Sequence, residues 1–143
     1  MPLKKIPIAI PEELERAIYS RSDNRSGTIC RDLQRLYRLY ERALQRVQLT
    51  VPEAVFVAKV VMRSEAEDAV YLASTLWAAV LDQAELLKPE GVDAQELADK
   101  LKALDDAARL AIIDAVERAG RLDTPIEDAV LKVGLAKESQ SKD

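Results

Sequence analysis

Five arginines, Arg31, Arg35, Arg38, Arg42 and Arg46, follow one another at spacings of 4, 3, 4 and 4. At about 100° per residue they fall within an arc of roughly 80° on a helix. Guanidinium groups are planar, permanently charged and fork-shaped, so a line of them can grip a phosphate backbone, or an acidic patch on a protein, through paired hydrogen bonds. Asp32 and Glu41 are too few to neutralise five cations. A solvated face propped by intrahelical pairs would nevertheless use the same row, and so would docking on the chain's own acidic second half.

The rest of the 143-residue chain offers little other chemistry. With no His, the usual general base and the commonest metal ligand are both missing, and one Cys, Cys30, cannot form a four-ligand zinc site or an internal disulfide. The glycines, Gly27, Gly91, Gly120 and Gly134, are too scattered for a phosphate-cradling loop. Carboxylate clusters such as Asp105 with Asp106, and Glu65, Glu67 and Asp68, fall where helix starts favour negative charge. The expectation is a protein that is not an enzyme and takes no metal, cofactor or small-molecule substrate. The most apolar stretch, Ala69 to Leu81 between Asp68 and Asp82, is shorter than the roughly 20 residues that span a bilayer, so it reads as a buried helix and no membrane partner is expected. No apolar secretory segment follows Lys4 and Lys5, and an unpaired Cys suits a reducing compartment; the reading is cytoplasmic.

Apolar residues make up 48% and charged residues 32%, enough to fill a core and coat it, while few glycines and 4% aromatics favour helices over sheets. Charge is uneven. Residues 1–48 carry ten basic and six acidic side chains, a net +4, and residues 49–143 carry eleven and nineteen, a net −8. The division expected is a basic module over 1–48, an acidic helical domain over 49–135 and a disordered polar tail over 136–143.

Helix starts are signalled where Ser, Thr or Asp precedes Glu by three residues: Thr50 with Glu53, Ser64 with Glu67, Asp93 with Glu96, and Thr124 with Glu127, the last beside Pro125. These predict helices of about 51–63, 65–87, 94–103 and 125–133. A further helix, about 106–119, is opened by Asp105 and closed by Gly120 as a left-handed cap. In the first half, Ile6, Ile8 and Ile10 alternate with Lys5, Pro7 and Ala9, the period of a short strand. A helix from Pro11 to about Ser22, a turn at Asp23–Gly27 and a helix from about Thr28 to Gln48 follow. The last carries Ile29, Leu33, Leu36, Tyr37, Tyr40, Leu44 and Val47 on the side opposite the arginines. By phase Tyr37 and Tyr40 face the core, Cys30 reads as a small, partly buried hydrophobe, and Trp77 as a core or interface anchor. The fold class predicted is all-α, with a short N-terminal ribbon strand followed by about seven helices.

A lone strand exposes unpaired amides on both edges, and its simplest partner is the same strand of a second molecule. The segment Lys5-Ile6-Pro7-Ile8-Ala9-Ile10-Pro11-Glu12-Glu13-Leu14, followed by Arg25-Ser26-Gly27-Thr28-Ile29 and a helix ending near Tyr40, resembles the ribbon-helix-helix DNA-binding domains of the Arc and MetJ repressor type over the first third of the chain. The resemblance implies a homodimer whose ribbon, paired through Ile6, Ile8 and Ile10, enters the DNA major groove. Lys5, Pro7 and Ala9 would then be the outward residues that read base edges, with Lys4 beside them on the DNA, and the amides and hydroxyls of Ser26, Gly27 and Thr28 would clamp phosphate. The function expected is a transcription regulator of bacterial, plasmid or phage type. The alternative is a small regulator that binds a protein of the transcription machinery, such as RNA polymerase or a sigma factor.

Overall fold

The computed structural model describes residues 11–19 and 25–137, with residues 19, 25 and 26 described by their backbone. The chain divides into two compact units, Met1–Arg38 and Leu39–Asp143. Among the described residues seven helices follow in order: α1 (Glu12–Tyr19), α2 (Arg25–Gln45), α3 (Val51–Arg63), α4 (Ala69–Leu87), α5 (Ala94–Lys102), α6 (Asp106–Gly120) and α7 (Ile126–Lys132). The all-α class and the helix number agree with the sequence reading, but the strand does not. Among the described residues there is no strand, and the only β-type pairing is an isolated parallel bridge between Leu49 and Ala136. The ribbon is therefore withdrawn from the fold. The described backbone instead satisfies its amides within helices, and the described fold is all-helical. Ile6, Ile8 and Ile10, with Lys4, Lys5, Pro7 and Ala9, lie outside the described residues.

In the first unit, α1 opens with Glu12, Glu13 and Glu15 in its first turn, where the helix dipole favours anions, and Arg16 reaches back to Glu12 at 2.8 Å. Ile18 and Thr28 are buried. The second unit is built around α3 to α7. Here α4 packs on α5 and α6, while α3 packs on α7, α6 and α4. Leu76, Leu97, Leu101, Ile112, Val57, Val80, Val116 and Val130 are fully buried between them. No described helix is long and apolar enough to cross a membrane.

The caps explain the helix starts. Thr50 and Glu53 form the reciprocal box expected, Thr50 Oγ1 accepting from Glu53 N and Glu53 Oε1 from Thr50 N. Asp93 and Asp105 accept from Glu96 N and Ala108 N. The other two starts differ from expectation. Ser64 ends α3, its amide donating to Val61 O and its hydroxyl accepting from Ala66 N, so α4 begins four residues later on Asp68. Thr124 makes no capping bond, and Pro125, whose ring presets φ, stands at the cap of α7. Gly120 is helical, with Arg121 rather than a left-handed glycine closing α6. Ala136 is buried, and Lys137 donates to the carbonyls of Gln45 and Val47, so these two tail residues belong to the second unit.

Candidate functional site

Leu, Arg, Gln, Glu and Ala dominate α2, all residues that lose little rotamer freedom in a helix. The helix starts at Arg25 and ends at Gln45, three residues ahead of expectation at both ends. Ser26, Gly27 and Thr28 thus lie in its first turn, where several amides have no intrahelical acceptor. Gly27 is half-buried and its carbonyl accepts from Arg31 Nε at 3.4 Å. Thr28 is 3% exposed, and its hydroxyl has no partner among the described residues, so it cannot reach a ligand from outside while it stays there.

Arg31, Arg35, Arg38 and Arg42 are exposed along α2. Among the described residues, Arg35, Arg38 and Arg42 make no hydrogen bond or ion pair. Arg46 stands apart. It lies just past the helix end and grips Asp105 with two bonds, of 3.0 and 3.2 Å. Asp105 also caps α6, and its carboxyl is held below the usual carboxylate range by the Ala108 amide first and by Arg46 second. The fifth arginine of the row therefore secures the second unit, in which α6 begins.

On the opposite side of α2 the apolar stripe splits in two. Leu44 and Val47 are buried in the core of the second unit, and Tyr40 packs on its edge. Leu33, Leu36 and Tyr37 are 41, 38 and 53% exposed. Tyr37, expected to face the core, is exposed with nothing described covering it, and Cys30 is exposed rather than partly buried. Trp77 packs against the core of the second unit, as expected, with Lys102 Nζ 4.7 Å from its ring centroid.

The sequence reading passed over a groove in the second unit, lined by α3, the end of α4 and Glu127 of α7. Lys59 and Arg63, one helical turn apart, were visible as a pair. Their apolar neighbours Leu87 and Pro89, 24 or more residues away in sequence, were not. No protein-family model, curated protein or solved structure matches the chain.

Proposed function

We propose that the protein is a transcription regulator of bacterial, plasmid or phage type that binds DNA as a homodimer. One observation carries the reading: on a single helix, α2, the exposed Arg35, Arg38 and Arg42, unpaired among the described residues, stand opposite Leu33, Leu36 and Tyr37, which no described residue covers. A stripe of this kind is ordinarily buried in an assembly. The order of residue types favours a second copy as the cover. From the Leu36–Tyr37 bond outward in either direction, α2 reads apolar at 36 and 37, arginine at 35 and 38, then Gln34 against Leu39 as the one unlike pair, apolar at 33 and 40, acid at 32 and 41, and arginine at 31 and 42. Two such helices related by a twofold axis and running antiparallel match Leu36 to Tyr37, with the arginines of both copies facing out.

Phosphate is the partner that suits those arginines. Their forks bond two oxygens at once, and bound counterions are released as each phosphate is neutralised. The overall negative charge of the second half keeps that region away from DNA and confines contact to the basic helix. The test is anisotropy of a labelled random duplex titrated with the protein across a range of salt. The reading expects log affinity to fall linearly with log salt, and the triple replacement Arg31→Glu, Arg35→Glu, Arg38→Glu to flatten the slope by about 0.9 for each phosphate contact removed. Affinity that ignores both salt and the triple replacement would sink it, and would turn the search to a protein partner such as RNA polymerase or a sigma factor.

A further inference from the structure

The second unit holds a groove of about 420 Å³, within the range of small-ligand sites. Its apolar wall is Val51, Pro52, Val55, Phe56, Val60, Leu87 and Pro89. Two left-handed residues shape one end, Lys88 at φ 46° closing α4 and Gly91 at φ 78° in the next turn. A Cβ at Gly91 would stand 3.2 Å from the Pro52 ring, so this turn seats directly against the start of α3. Along α3 the groove face changes character. It begins with Pro52 and Val55 and ends with Lys59 and Arg63, which the helix rise places about 10 and 16 Å from Pro52. Neither cation forms a hydrogen bond or ion pair among the described residues.

We infer that this groove binds a small amphipathic carboxylate, its apolar chain lying against Val55, Phe56 and Leu87 and its head on Lys59 and Arg63. Charge selects the occupant. Two unpaired cations at one end of an apolar slot fit one anionic head. Glu90, beside Gly91 at the Pro52 end, and Glu127 repel a polyanion or an anionic surface laid over the whole groove. Placed in the acidic unit, such a site would let a metabolite carrying a carboxylate report to the regulator.

Calorimetric titration of the full-length protein with decanoate tests this, with decanol and anionic lipid vesicles as parallel probes. The expected result is saturable one-to-one binding of decanoate, weakened about tenfold by the Lys59→Gln, Arg63→Gln pair and matched in that weakness by decanol on the unaltered protein. Val55→Trp, which fills the slot, should abolish binding while the helical circular dichroism persists. If Val55→Trp unfolds, the charge pair decides alone, because both of its residues are exposed. No saturation by about 1 mM decanoate, or affinity unchanged in the charge pair, would overturn the inference, as would binding to vesicles without binding to decanoate.

Discussion

The last turns and the middle of α2 show the contrast that organises the molecule. Its last turns belong to the second unit, where Ala43, Leu44 and Val47 are buried. Its middle keeps Leu33, Leu36 and Tyr37 in the open on the same stripe. The periodicity is continuous, so the difference does not come from the helix. It comes from what the rest of the chain supplies: α3 to α7 form a closed core for the last turns, and nothing described covers the middle. The proposed dimer would bury this second region, which no described residue covers.

Replacements in the two regions should therefore behave differently. The largest effect on stability belongs to Leu76→Ala, at a fully buried side chain in α4, with a loss of about 3 kcal/mol in urea unfolding. A loss below about 1 kcal/mol would mean that the core of the second unit is looser than described. Next is Lys100→Ala. Lys100 Nζ lies 2.7 Å from Glu53 Oε1, and the Glu53 side chain is 5% exposed, so removal strands a buried carboxylate at a cost of about 2 kcal/mol. The capping bond from the Thr50 amide keeps Glu53 partly satisfied, which is why the loss should stay below that of Leu76→Ala.

A smaller, pH-dependent effect is expected at Asp105. Its carboxyl is shifted down by the Ala108 amide and by Arg46, so it stabilises the fold at pH values above the ordinary carboxylate range. That contribution fades as pH falls through the lowered value. Asp105→Ala should lower the melting temperature at neutral pH and flatten its dependence on acid pH, and identical acid profiles for the two proteins would contradict the assignment. Last comes Leu36→Asp, which should change the unfolding free energy of the second unit by no more than about 0.5 kcal/mol because the side chain is already exposed. Its consequence should lie wholly in assembly.

Much of this was legible in local sequence. The Thr50–Glu53 box and the Asp93 and Asp105 caps depend on side chains reaching amides two or three residues away, and they stand as read. Ser64–Glu67 has the same pattern, but Ser64 is already used in closing α3, and only the structure shows that Asp68 is the cap of the next helix. The arginine row was readable because helical phase is local. That phase was carried through Arg46, past the point where the helix stops, and Arg46 instead pairs with a residue 59 positions away. Tyr37 makes the same point for the apolar face: periodicity identifies a stripe and says nothing of what covers it. The groove of Lys59 and Arg63 was illegible because it exists only where α3 meets the end of α4.

The most direct test of the central claim is solution mass by light scattering of the unaltered protein and of Leu36→Asp. The account predicts a dimer for the first and a monomer for the second, with the same unfolding transition for the second unit. A monomeric unaltered protein, or a dimer that survives Leu36→Asp, would contradict it.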